Sequence, residues 1–144
     1  MNEQENLRVT QEGYAAFGRG DIPALLNTYT EDVEYVIPGP PDIITYAGTY
    51  RGAEQVAQFF SLLNDAIDYE LFEPREFVAQ GNKVVVLGYA RGRVKITDHR
   101  VEERWAHVLT LREGKVMRFE AYSDTAATVA AFTMPPRTAG GLNG

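Results

Sequence analysis

The sequence predicts an α+β domain, with three N-terminal helices packed on one face of a curved sheet that combines one early strand with a later four-strand meander. Three observations carry this. Between residues 7 and 66 apolar residues recur at helical spacing, with one short strand-like run among them. From 69 to 123 the period drops to two, and turn residues punctuate the runs. Helices and strands segregated in this way bury their apolar faces against one another as packed layers.

Leu7, Val9, Tyr14, Ala16 and Phe17 form the apolar stripe of the first helix, which Gly18-Arg19-Gly20 stops. No phosphate-loop spacing follows these glycines. Asp21 caps a second helix that has Pro23 in its first turn. Residues 33–37 read as a short strand ended by Pro38-Gly39-Pro40-Pro41. Residues 42–52 lack a clear period and are expected to form a loop, of a length that often makes a lid or pocket rim. A third helix over 53–66 turns Val56, Ala57, Phe59, Phe60 and Leu63 inward. Strands follow over 69–79, 83–97, 101–112 and 115–123, and residues 125–132 suit a short final helix. Residues 1–134 thus read as a single domain, and 135–144 as a flexible C-terminal tail.

A chain of 144 residues can hide roughly 70% of its unfolded surface in one core. Its net charge of −6 argues against nucleic acid or an anionic membrane as partner. Without cysteine there are no disulfides, thiolate metal sites or cysteine nucleophiles. The polar N-terminal stretch lacks a signal-peptide apolar run, and no run approaches the ~18 apolar residues of a membrane helix. A cytoplasmic protein is expected.

The segment 101–124 holds the only tryptophan, Trp105, and one of two histidines, His107. Read as a three-residue hairpin loop at Arg112-Glu113-Gly114, it pairs Leu111 with Lys115, His107 with Phe119 and Trp105 with Ala121. One face then carries Trp105, His107, Leu109, Met117, Phe119 and Ala121, and the other Arg104, Arg118, Glu120 and Tyr122. His107 is expected to point into an apolar interior, and Glu120 outward beside Arg118. The charged outer face is self-complementary and predicts a homodimer.

Several phrases carry a family resemblance: Gly20-Asp21 between the first helices, Tyr29-Thr30-Glu31-Asp32-Val33 entering the first strand, Gly48-Thr49-Tyr50-Arg51-Gly52 before the third helix, and the hairpin ending Tyr122-Ser123-Asp124. In these the chain resembles the nuclear transport factor two-like superfamily, and within it the SnoaL-like and ketosteroid isomerase-like proteins. The resemblance implies a cone-shaped, antiparallel or mixed sheet enclosing a pocket. Matched to ketosteroid isomerase, the position of the catalytic aspartate falls at or beside Ile37, which cannot shuttle a proton. The second acidic position falls on His107, and the helix-one tyrosine matches Tyr14. The isomerase roles are a worked example of pKa tuning.

His107 is the catalytic candidate, since a histidine titrates near neutrality and a dry pocket favours its neutral ring. Glu103 shares its face, but four residues at ~3.3 Å each put the two roughly 13 Å apart, too far for a direct hydrogen bond. Glu103 is therefore placed at the pocket mouth or against Arg91. Tyr89 and Arg91 belong, by the resemblance, to the pocket-facing set of the preceding strand. Tyr14, Tyr35 and Tyr46 offer hydroxyls to a carbonyl oxygen, and Trp105 with Phe119 forms a flat apolar wall. Asp124 caps the final helix. No metal site or cofactor motif is present: His99 and His107 are eight apart without a carboxylate cluster, and neither Ser61 nor Ser123 lies in a nucleophile motif.

Two functions follow. One is a cofactor-independent enzyme moving a proton on a hydrophobic carbonyl compound, as an isomerase, cyclase or dehydratase. The other is a non-catalytic module that holds a small hydrophobic or aromatic ligand and dimerises through its sheet. A cavity of roughly 300 Å³ or more, with histidine, tyrosine and arginine tips converging, favours the enzyme. A dry pocket with His107 bonded to backbone favours the module.

Overall fold

The computed structural model describes residues 2–136 of the chain. Helix α1 (Glu3–Gly18) begins earlier than the apolar stripe suggests, because the Asn2 side chain accepts the Glu5 N–H at 2.8 Å and fixes the start. Gly20, at φ 74°, turns the chain out of it. Helix α2 (Ile22–Leu26) is capped by Asp21, whose Oδ1 accepts the Ala24 N–H at 3.1 Å. Helix α3 (Gly52–Ala66) buries Val56, Phe59 and Phe60. Helix α4 (Thr125–Thr133) has Asp124 as its cap, accepting from Ala127 N at 3.0 Å. No helix among the described residues is long and apolar enough to cross a membrane. The expected tail lies outside the described residues from 137 onward.

The strands are β1 (Tyr29–Ile37), β2 (Gly48–Arg51), β3 (Ile67–Gln80), β4 (Lys83–Val94), β5 (Arg100–Arg112) and β6 (Lys115–Tyr122). They form one mixed sheet in the order β2-β1-β6-β5-β4-β3. β3 to β6 are the predicted antiparallel meander, and β1 joins it parallel to β6, with Tyr35 beside Phe119. Residues 48–51, read as loop, are instead a short antiparallel strand on the far side of β1, with Tyr50 opposite Tyr35. Four residues at the sheet edge are too few to carry a legible period. Register shifts at Tyr69/Leu71 and Pro74/Glu76 bend β3 around the helices.

The β5–β6 hairpin corrects the register and keeps the expected faces except beside the turn. Glu113 (φ 50°) and Gly114 (φ 76°) form a two-residue turn with both central residues left-handed, so Arg112 pairs with Lys115 and Leu111 with Val116. A bulge then intervenes between Thr110 and Leu111, and from there Leu109 faces Phe119 and His107 faces Ala121. The extra residue restores the parity that the shorter turn would have changed. Trp105, His107, Leu109 and Phe119 all end buried, while Val116 takes the inward place expected of Met117.

The core lies between this concave sheet face and the helices, where Val9, Ala16, Val56, Phe59 and Phe60 meet Val84, Val86, Leu109 and Phe119. Gly88 is opposite Trp105 in the β4–β5 pair, and a Cβ added there would sit 2.1 Å from the indole Cζ2. The missing side chain is what lets the tryptophan lie flat on the sheet.

Candidate functional site

The concave face does not fill completely. A cavity of about 120 Å³ remains between it, the α1, α3 and α4 helices and the segment 38–47. Gly39 (φ 121°) turns that segment so that Ile44 packs 2% exposed into the wall. The walls are mostly aromatic: Trp105 stacks on His107 with ring centres 4.0 Å apart and on Phe72 at 4.8 Å, and Tyr35 stacks on Phe119 at 4.1 Å.

Polar groups gather at two ends of this apolar space. At the inner end Tyr14 Oη lies 2.6 Å from His107 Nδ1, joining α1 to β5. Nearby, the hydroxyls of Tyr29 and Tyr35 share a hydrogen bond of 2.8 Å. Burial lowers the His107 pKa to about 3, so the ring is neutral at ordinary pH. Burial, with the neighbouring Tyr29, raises Tyr14 well above the usual phenol range. Burial likewise keeps Tyr29 and Tyr35 protonated. Among the described residues the His107 ring is hydrogen-bonded at Nδ1, and the buried Nε1 of the neighbouring Trp105 has no partner.

Glu103 marks the other end. It sits on the β5 face that carries Trp105 and His107 and lines the cavity. Desolvation raises its pKa to about 7, and the Asp124 charge adds to the rise. The Asp124 N–H, donated to Oε2 at 3.2 Å, works in the opposite direction. Tyr46 and Tyr69 are held protonated by burial, with the Glu103 charge contributing. The cap of α4 therefore also positions the carboxyl that lines this end of the cavity.

Tyr14, Tyr35, Glu103, Trp105, His107 and Phe119 all line the cavity. Tyr89 and Arg91 do not, and the expectation that they face it is corrected. In the β4–β5 register Val86 opposes His107 and Gly88 opposes Trp105, so the inward β4 residues are Val84, Val86, Gly88 and Ala90. Tyr89 donates its hydroxyl to Glu102 Oε2 at 2.6 Å on the outer face. Arg91 Nε lies 3.9 Å from Glu70 Oε1, and Glu103 is not its partner. The signal was in the sequence, where small residues alternate at Gly88, Ala90 and Gly92 because the inner face is crowded. Tyr29, Tyr69 and Phe72 escaped the sequence reading: Tyr29 lies beyond an irregularity in β1, and the other two lie around a bulge in β3.

The cavity is smaller than the roughly 300 Å³ typical of drug-sized ligands. No arginine lines it among the described residues, and His107 is bonded to a tyrosine rather than to backbone. The conditions set for enzyme and for module are thus each met only in part.

An aromatic-lined cavity over the concave face of a mixed, open six-stranded sheet defines a nuclear transport factor two-like protein. The SnoaL-like domain matches residues 10–119, and the chain belongs to that family. A nuclear transport factor two-like protein from Burkholderia xenovorans superposes with a TM-score of 0.84 at 39% identity, over 92% of this chain and 99% of that one. TerC, co-crystallised with polyporic acid, gives a TM-score of 0.80 at 28% identity over 89% of this chain and 98% of its own. An uncharacterised protein of Mycobacterium tuberculosis is 29% identical over 129 residues, covering 89% of this chain and 96% of that protein.

Proposed function

We propose that this protein is a small SnoaL-like enzyme that moves a proton on a compact hydrophobic carbonyl compound without a cofactor. The observation that supports this reading is the placement of two polar ends, Tyr14–His107 and Glu103, across one aromatic cavity. The size sets the ligand: an apolar cavity of roughly 150 Å³ is known to take benzene, so about 120 Å³ suits a single ring.

At the inner end the pair offers one donor in either tautomer. If Tyr14 donates to Nδ1, the Nε2–H is left for the carbonyl oxygen; if Nδ1–H donates to Tyr14, the tyrosine O–H is left. A pKa of about 3 makes His107 a weak base at neutral pH, so its role in this reading is hydrogen-bond donation to the developing enolate oxygen. Glu103, with its pKa near 7, is partly ionised at neutral pH and suited to take and return the proton. Its carboxylate removes hydrogen from the carbon beside the carbonyl, and the C–H electron pair passes into the enolate held at the inner end. Returning the proton to another carbon isomerises the substrate. Attack by the enolate on a second carbonyl, whose oxygen takes the proton back from Glu103, cyclises it, and departure of a β-hydroxyl that takes that proton and leaves as water dehydrates it. Glu103 and His107 stand roughly 13 Å apart along β5 with the Trp105 indole between them, so a ring lying over that indole reaches toward both side chains.

Solvent deuterium exchange beside the carbonyl of cyclohexanone and acetophenone, followed by proton NMR, tests the reading. Exchange is expected above the buffer rate and reduced about 10²- to 10⁴-fold in Glu103→Gln. Exchange at the buffer rate in the wild type would leave the second reading, a binding module for a small hydrophobic or aromatic ligand. The aromatic walls favour that module, as does the co-crystallisation of TerC with polyporic acid.

A further inference from the structure

A second hollow, of about 620 Å³, lies between the end of α1, the start of α2, the end of α3 and the edge strand β3. Its origin is local: Gly18 and Gly20 leave the α1–α2 corner without side-chain bulk, and the bulge at Tyr69/Leu71 shifts the facing strand. Tyr14, Phe17, Phe60, Leu63, Tyr69 and Phe72 line both this hollow and the inner cavity. The two spaces are therefore separated only by a partition of side chains. Phe17 forms its centre, with ring centres 5.1 Å from Phe72 and 5.8 Å from Phe60. Phe17 and Phe72 are only half-buried, so their rings face both sides.

The two acidic groups at the rim are ion-paired, and Lys95 is held by a backbone carbonyl. Lys95 Nζ donates to the Asn64 carbonyl at 2.6 Å, Asp68 pairs with Arg93 at 3.4 Å, and Glu70 pairs with Arg100 at 3.3 Å. What the hollow leaves open to a ligand is its apolar floor, with Ile22 and Pro74 extending it beyond the shared residues.

We propose that this hollow is the outer chamber of the same site, accepting the neutral apolar tail of a ligand whose carbonyl-bearing ring occupies the inner cavity, with Phe17 and Phe72 as the gate between them. The proposal rests on the inner cavity being a ligand site and deepens that reading by fixing the ligand's form: a compact ring carrying an uncharged hydrocarbon substituent. A charged tail is disfavoured because the floor on which it would lie is apolar.

The test uses acetophenone and 4-butylacetophenone with the whole chain, following binding by isothermal titration calorimetry. Each methylene removed from water strengthens binding by about fourfold, so a half-buried butyl chain should bind at least tenfold tighter than the parent. Ile22→Trp, which fills the outer chamber, should erase that gain and leave acetophenone within twofold of wild type. Asn64→Trp, at an exposed position on the opposite wall, repeats the test should Ile22→Trp fail to fold. A butyl gain under twofold, or one undiminished in both variants, would overturn the outer chamber while leaving the inner site intact. Absence of binding by either ketone would remove the inner site and the proposal with it.

Discussion

The Tyr14 hydroxyl and His107 Nδ1, 93 positions apart in sequence, meet at 2.6 Å and tie α1 to β5 inside a largely aromatic interior. Removing one partner leaves the other desolvated and unpaired, at a cost of about 1–3 kcal/mol, whereas removing both can be nearly neutral. Tyr14→Phe and His107→Leu should each destabilise the fold by that amount in urea titrations. The double variant should cost clearly less than the sum of the two.

Gly88→Ala tests the packing beneath the cavity. The new methyl group would sit 2.1 Å from Trp105 Cζ2, closer than any relaxed contact, so the indole must tilt. Overpacking of this kind costs about 1–3 kcal/mol, and the upper end is expected here. A lower urea midpoint with a shifted Trp105 emission maximum would register both effects.

His107 and Glu103 give stability opposite dependences on pH. Folding lowers the His107 pKa from 6.5 to about 3, so in that window the folded state binds fewer protons and stability rises with pH. Folding raises the Glu103 pKa from 4.5 to about 7, so in that window the folded state binds more protons and stability falls as pH rises. The two offset each other between 4.5 and 6.5. In Glu103→Gln the urea midpoint should climb steadily over that range, and in His107→Gln it should decline.

The outer sheet face carries the prediction of self-association. Leu87, Ala106 and Tyr122 lie in register across β4, β5 and β6, with Leu87 39% and Tyr122 54% exposed. Arg118 and Glu120, expected to pair across a dimer, already bond to one another at 3.1 Å, and Arg118 also engages Glu34. The apolar row is therefore the contact to test. Light scattering at micromolar concentration should give about twice the 16.1 kDa of one chain, and Tyr122→Glu should halve it.

Helix caps, the meander and the apolar face of the hairpin were legible because each follows from local chemistry or a two-residue period. Asp21 and Asp124 are caps whose side chains reach the nearest free N–H groups, whereas the Asn2 cap went unread because the apolar stripe begins only at Leu7. The register of the hairpin was not legible in full. A turn two residues long and a compensating bulge restore parity together, so the face was right although the pairs were wrong. Tyr89 and Arg91 went astray because their face came by resemblance, while the small residues at 88, 90 and 92 held the better signal. The chemistry of the site depends on desolvation, which spacing does not encode. His107 and Glu103 share one strand face, yet burial takes the histidine far from neutrality and brings the carboxyl to it.

The central claim is that Glu103 carries the proton while Tyr14 and His107 hold the oxyanion, and the pH profile of deuterium exchange at cyclohexanone tests it most directly. The rate should rise with pH and level off above an inflection near 7, and Glu103→Gln should remove both the rise and most of the rate. A profile unchanged in Glu103→Gln, or one whose inflection disappears only in His107→Gln, would contradict the account.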